Sequence, residues 1–436
     1  MFENLQNRAA LIARDGLKVR RLVTACHKLL SERGEAAGVS LAKETLEHYQ
    51  TLDKKEQVRF FLALAEEFSP DPKRVQLAAQ AYAENPSAEN LAALNQVVEP
   101  PRQEVFRRLN RAPGGTGAIV RLRERLLDQL RDYPQLRSVD WDLHHLLSSW
   151  FNPGFLTIVQ VDWHTPAFLL EKIIKHEAVH EIQGWNDLHR RLEADRRCFA
   201  FFHPALPEEP LIFVEVALVD DMPDQVAPLL RIDAASGEPR KASTAVFYSI
   251  SNCQPGLRRV SLGNFLIKQV ADLLSAEFPK LRHFCTLSPI PGFSAWLARQ
   301  IKEDDKRGEK FDAALKKVAS ALGPDPAKVA SDPKAAPEKL APLKEPLTAL
   351  CATYLVNDGR ADAFTRDPVA RFHLSNGARM ERINFLADES RNGLRQSLGL
   401  MVNYVYERRS IEANHEQFVQ RQVVASRAVR GLLLTK

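Results

Sequence analysis

Apolar positions recur at helical spacing through the first third of the chain. Phe61, Leu64, Ala65 and Phe68 fall at i, i+3, i+4 and i+7, and Ile119, Leu122, Leu126 and Leu130 form a second stripe. Breaks at Ser69-Pro70-Asp71-Pro72, Glu99-Pro100-Pro101 and Pro113-Gly114-Gly115 punctuate these runs. Residues 1–149 therefore read as a helical bundle for packing or oligomerisation. After Trp150 the pattern shortens into β-prone runs at 198–202 and 211–218, separated by the turn His203-Pro204-Ala205-Leu206-Pro207. A third run, 244–250, precedes a loop and a helix over 264–278 with Leu266, Val270, Leu273 and Leu274 on one face. The next strand, 282–287, stops at Ser288-Pro289. Strand, strand, strand, helix, strand is an α/β plan, so 150–436 reads as a second domain. Two last strands are expected at 369–374 and 398–406, followed by a polar C-terminal helix, and a Pro/Ala/Lys-rich surface loop at 323–346.

Composition narrows the function classes. The chain has 436 residues, 45% hydrophobic and 26% charged, as ordinary globular proteins do. Its 60 basic and 55 acidic residues nearly cancel to +5, which argues against a nucleic-acid partner and suits a small anionic ligand held by local Arg and Lys. No apolar run approaches the ~20 residues that cross a bilayer, so no membrane partner is expected. The opening MFENLQNRAALIARDG lacks a signal-like apolar stretch, and cytoplasm is the expected location. Five dispersed cysteines without a CxxC pair fit reduced thiols.

Three constellations carry chemistry. His176-Glu177-Ala178-Val179-His180 matches HExxH, which binds zinc when both histidines lie one helical turn apart. The segment 168–180 is compatible with a helix, but Gly184 and His189 are out of step with the extended metalloprotease pattern. No metal site is assigned.

The loop from Gln254 to Asn264, between a strand and a helix, is the second. Small residues there let backbone N–H groups approach an anion, and Arg258, Arg259 and Lys268 add charge-assisted contacts to phosphates. Arg258-Arg259-Val260-Ser261-Leu262-Gly263 resembles the Q/R-x-x-G-x-G/A signature with which N-acetyltransferases hold the CoA pyrophosphate, departing from it at Ser261. Small residues also cap helices for structural reasons.

The third is a pair of polar residues. Ser288 ends a strand ahead of Pro289-Ile290-Pro291-Gly292-Phe293, at the strand end where ligands gather in open α/β sheets. His373, between Phe372 and Leu374, is expected on the opposite strand face from both. A turn-capping serine and a hydrogen-bonded structural histidine are the plain alternatives.

Taken together the segments resemble malonyl-CoA decarboxylases. The similar stretches are Phe247-Tyr248-Ser249-Ile250-Ser251, Leu262-Gly263-Asn264-Phe265-Leu266-Ile267-Lys268 and Leu287-Ser288-Pro289-Ile290-Pro291-Gly292-Phe293. Others are Pro368-Val369-Ala370, Phe372-His373-Leu374, Asn376-Gly377-Ala378, Arg382-Ile383-Asn384 and Gly399-Leu400-Met401-Val402-Asn403-Tyr404. The resemblance implies a helical N-terminal domain and an acetyltransferase-like (GNAT-like) mixed-sheet catalytic domain. It places substrate and CoA binding on Arg258, Arg259, Val260, Ser261, Leu262, Gly263 and Asn264, with Ser288 as proton acceptor and His373 as proton donor. Asn403 and Tyr404 are further pocket candidates. The implied reaction turns malonyl-CoA into acetyl-CoA and CO2.

The departing CO2 leaves an electron pair that the thioester carbonyl accepts as an enolate, so no cofactor is expected. The protein supplies orientation, a donor for the enolate oxygen and a proton for the carbon. Histidine suits the last task through its near-neutral pKa. An acyl-CoA-dependent N-acyltransferase, a zinc peptidase and a non-catalytic malonyl-CoA-binding regulator are the competing readings. A homo-oligomer formed through the helical domain is the expected assembly.

Overall fold

The computed structural model describes residues 2–32, 34–260, 262, 266–303, 307–356 and 367–434. The chain divides into two compact units, one of Met1–Thr157, Phe202–Pro210 and Gln254–Leu262, the other of Ile158–Phe201, Leu211–Cys253 and Gly263–Lys436.

The first unit is helical: α1 (Phe2–Ser31), α2 (Glu35–Gln50), α3 (Lys54–Glu66), α4 (Pro72–Glu84), α5 (Ala88–Val98), α6 (Pro101–Asn110), α7 (Gly115–Leu127) and α8 (Arg137–Trp150). Local signals start these helices. Asp53 and Glu56 form a reciprocal capping box at α3, and Asp71 caps α4 with Pro72 in its first turn. The expected stripe faces inward, with Phe61 and Leu64 of α3 and Phe68 in the turn after it fully buried. A buried pair between Arg102 on α6 and Asp142 on α8, to which Gln103 adds a 2.6 Å hydrogen bond, ties two helices together. The hairpin of α4 and α5 buries none of its residues and exposes Leu77, Leu91 and Val98.

The second unit is built on a mixed sheet. Its elements are β1 (Thr157–Val161), α9 (Ala167–His176), α10 (Trp185–Arg191), β2 (Arg196–Phe202), β3 (Ile212–Val219), α11 (Ala227–Leu230), β4 (Thr244–Asn252) and α12 (Leu266–Glu277). They continue with β5 (His283–Thr286), β6 (Ser288–Pro289), α13 (Phe293–Glu303), α14 (Glu309–Leu322), α15 (Pro326–Val329), α16 (Ala336–Leu340), α17 (Lys344–Val356) and α18 (Pro368–Ser375). The chain ends with β7 (Arg379–Asn384), α19 (Arg391–Ser397), β8 (Met401–Val405), α20 (Ile411–Val419) and α21 (Arg427–Gly431).

The strands run in the order β1-β2-β3-β4-β5-β8-β6, with β7 also on β8. β2, β3 and β4 are antiparallel, β4 and β5 are parallel, and β8 is antiparallel to β5, β6 and β7. A parallel pair needs a crossover, and α12 supplies it. An antiparallel meander of β2, β3 and β4 is thus joined to β5 by one parallel pair across a helix. The helical region followed by a mixed sheet is the fold class expected.

Several local expectations change. The stretch 369–374 is helix rather than strand, because Asp367 accepts from the N–H groups of Val369 and Ala370 and Pro368 opens the first turn. On α12, Leu266, Val270 and Leu274 are buried as expected, whereas Leu273 is exposed and Ile267 and Ala271 complete the inner face. The proline-rich stretch 323–346 is no open surface loop: α15, α16 and a 3-10 turn occupy it, and Ala336, Leu340 and Leu343 are buried. Strands β1 and β7 were not anticipated.

Candidate active site

The parallel pairing of β4 with β5 ends at Phe247 and Thr286, and its last bond runs from the Leu287 N–H to the Phe247 carbonyl at 3.1 Å. The next two residues leave β4 and pair with β8, Ser288 opposite Val402 and Pro289 opposite Met401. Ser288 therefore sits where the chain steps from one partner strand to another, and it is buried. The prolines prevent further ladder formation.

His373 comes from α18 and reaches the same spot. Its Nε2 lies 2.9 Å from Ser288 Oγ and its Nδ1 lies 2.8 Å from the Tyr406 hydroxyl. The Tyr404 ring stacks on the imidazole at 4.6 Å between centroids. The Ser288 hydroxyl donates to Thr286 Oγ1 at 2.8 Å, and the Tyr404 N–H reaches the same oxygen at 3.2 Å. With its proton directed to Thr286, Ser288 accepts from the imidazole. His373 then carries its proton on Nε2 and accepts from Tyr406 through Nδ1.

Burial governs the electrostatics. His373 is 2% exposed, and loss of hydration pushes its imidazole down to about 3, so the ring is neutral at physiological pH. This corrects the expectation of a near-neutral pKa. Burial raises the Tyr404 and Tyr406 hydroxyls well above their usual range, which keeps both protonated.

Asn403 alternates with Tyr404 along β8 and turns to the other face. Its amide donates to the Thr286 carbonyl (2.8 Å) and the Pro223 carbonyl (3.1 Å), and accepts from Arg382 Nε (3.1 Å) and Asn384 Nδ2 (2.7 Å). Both donors and both acceptor positions are engaged, so Asn403 fixes the backbone under Thr286 and leaves no amide group for a ligand.

The basic loop, Gln254–Leu262, belongs to the helical unit. Arg258 and Arg259 have exposed side chains, while their backbone is fastened: Arg123 donates to the Gly256 and Arg258 carbonyls at 2.8 and 3.0 Å, and His144 contacts the Arg259 carbonyl at 3.1 Å. Arg259 adopts a left-handed φ of 67°. A Cβ at Gly256 would lie 2.0 Å from the Val120 carbonyl oxygen, so only glycine fits there. Val260 and Leu262 are buried, whereas Ser261, Gly263 and Asn264 lie outside the described residues.

The HExxH stretch is not one helix. α9 ends at His176, and Glu177 turns to an extended backbone. The Glu177 carboxylate accepts from the N–H groups of Val179 and His180 and from the Ser249 hydroxyl, each at 2.8 Å. His176 and His180 therefore do not share a helical face.

Sequence reasoning missed Thr286, Tyr406 and Asp367. Strand alternation offered a signal for Tyr406, since it shares a face with Tyr404. The Asp367-Pro368 pair is a helix-start signature.

Comparison with known proteins gives the family. A model of the malonyl-CoA decarboxylase C-terminal domain matches residues 154–436, and one of the malonyl-CoA decarboxylase N-terminal domain matches 68–151. Mitochondrial malonyl-CoA decarboxylase of Rattus norvegicus is 40% identical over 330 residues, 72% of this chain and 67% of that protein. The crystal structure of malonyl-CoA decarboxylase from Rhodopseudomonas palustris superposes with a TM-score of 0.86 at 47% identity, covering 95% of this chain and 99% of the other. That from Agrobacterium vitis gives 0.85 at 46%, covering 95% and 100%. With both regions matched and the fold shared over nearly its whole length, the chain belongs to the malonyl-CoA decarboxylase family.

Proposed function

We infer that this chain decarboxylates malonyl-CoA to acetyl-CoA and CO2, with His373 as the proton donor. The observation that carries the reading is the 2.9 Å contact between Ser288 Oγ and His373 Nε2 in a buried, aromatic-walled corner at a strand end. When the bond to CO2 breaks, its electron pair moves into the thioester carbonyl and forms an enolate. The Nε2–H of His373 then protonates the α-carbon. A thioester enolate carbon is more basic than imidazolate, so a neutral imidazole can serve, and Tyr406 steadies the charge left on the ring through Nδ1. Ser288 is a hydrogen-bonding group for the thioester or carboxylate oxygens rather than a strong base, since its neighbours Thr286 and neutral His373 do not deprotonate it.

Arg258 and Arg259 bind the CoA phosphates, together with the loop through Asn264. The burial of all five cysteines as free thiols supports a reducing, cytoplasmic location. The apolar residues exposed on α4 and α5 support self-association through the helical region.

The direct test mixes purified protein with malonyl-CoA and follows acetyl-CoA and CO2. Their equimolar appearance is expected. Binding without turnover would favour a malonyl-CoA-binding regulator, and consumption of acetyl-CoA only when an amine is added would favour an N-acyltransferase.

A further inference from the structure

The residues at the two catalytic positions come from separate elements, and one buried carboxylate touches both carriers. Asp367 is 1% exposed. Its Oδ1 accepts from the N–H groups of Val369 (3.0 Å) and Ala370 (3.1 Å), capping the helix that bears His373. Its Oδ2 accepts from the Gly292 N–H at 3.2 Å, in the turn that leaves Ser288, and from the Tyr354 hydroxyl at 3.3 Å. The turn is shaped for this contact: a Cβ on Gly292 would stand 2.1 Å from the Tyr354 hydroxyl oxygen and 3.4 Å from Asp367 Oδ2. Tyr354 is held in turn by ring contacts with Phe293 and Trp296.

Among the described residues four donors converge on one carboxylate, an arrangement only its ionised form satisfies at every position. Burial works against that form and raises the Asp367 carboxyl above its usual range. A helix cap alone needs one oxygen, and neutral Asn or Ser serves as well. The second oxygen is what joins the His373 helix to the Ser288 turn.

We propose that Asp367 is a positioning residue for the decarboxylation, setting the distance between Ser288 and His373 by clamping the turn after one to the start of the helix carrying the other. The proposal rests on the assignment of those two residues to the reaction. Asp367→Asn separates the two halves of the clamp. The amide oxygen keeps the helix cap, while the amide nitrogen meets the Gly292 N–H donor to donor and releases the turn.

The experiment measures kcat and KM for malonyl-CoA, and thermal stability, in Asp367→Asn, His373→Asn and the double variant. Asp367→Asn is expected to lower kcat by roughly a hundredfold with KM nearly unchanged, the scale of a misplacement of about 1 Å. Tm should move little, since relief of the buried charge offsets the lost bond. In the His373→Asn background the same change should add almost nothing, because Asp367 acts through that side chain. Wild-type kcat in Asp367→Asn, or an undiminished further loss in the double variant, would overturn the proposal. Near-normal kcat in His373→Asn would instead remove the assignment beneath it. Should Asp367→Asn fail to fold, Tyr354→Phe keeps the ring packing and removes one Oδ2 donor. A kcat lowered about fivefold at constant KM is then expected, and unchanged kcat overturns the clamp.

Discussion

Ser288 Oγ stands 2.9 Å from His373 Nε2, although 85 residues separate them in the chain. Two different constraints bring them together. Ser288 is placed by the sheet, where its segment exchanges β4 for β8, and His373 by a helix whose start is capped at Asp367. Tyr404 and Tyr406, on one face of β8 and just beyond it, enclose the imidazole and complete its hydrogen bonding.

Removing the hydroxyl tests the first half of this relationship. Ser288→Ala is expected to lower kcat by about a hundredfold, the usual effect of losing one donor to a developing oxyanion. Steady-state kinetics with malonyl-CoA checks it, and the fold should persist because the site is small and Thr286 keeps the Tyr404 N–H as a partner.

The buried imidazole also leaves a mark on stability. Its folded pKa is lowered to about 3, against ~6.5 when unfolded, so between these values the unfolded chain binds more protons. Stability therefore rises with pH through that window and is lost as pH falls below ~6.5. His373→Asn should flatten this share of the slope, so that its Tm falls less than the wild-type Tm between pH 7 and about 5 in a thermal-shift series.

Much of this was legible in the chain and some was not. The strands around 198–202, 211–218, 244–250 and 282–287 declare themselves through β-branched and aromatic runs bounded by prolines. Ser288 stands out because two prolines follow it. The helix at 368–375 reads as a strand from its pattern, since Phe372-His373-Leu374 alternates over too short a span to separate the two periods, and the stronger cue is Asp367-Pro368 before it. β7, with Arg379, Glu381 and Arg382 among its residues, carries too many charges to look like a strand, and pairing with β8 decides it. Thr286 and Asp367 acquire their importance only from tertiary contacts.

Charge at the loop is testable by binding. Arg258→Ala and Arg259→Ala should each raise KM for malonyl-CoA about tenfold with kcat little changed, as expected for one charge-assisted phosphate contact. A free carboxylate substrate analogue without the nucleotide should be insensitive to both changes.

The interrupted HExxH segment leads to a further expectation. Glu177 is tied to two backbone N–H groups and to Ser249, and the histidines stand on different segments. Prolonged treatment with EDTA should leave turnover intact, and a loss restored by zinc would reopen the metallopeptidase-like reading.

The measurement that bears most directly on the proton donor is turnover of malonyl-CoA by His373→Asn, taken alongside its affinity for acetyl-CoA. Asparagine keeps a polar group of similar reach but supplies no acid of comparable strength. A kcat lowered by about a thousandfold with acetyl-CoA binding preserved is the expected result. Turnover near the wild-type rate would contradict the account.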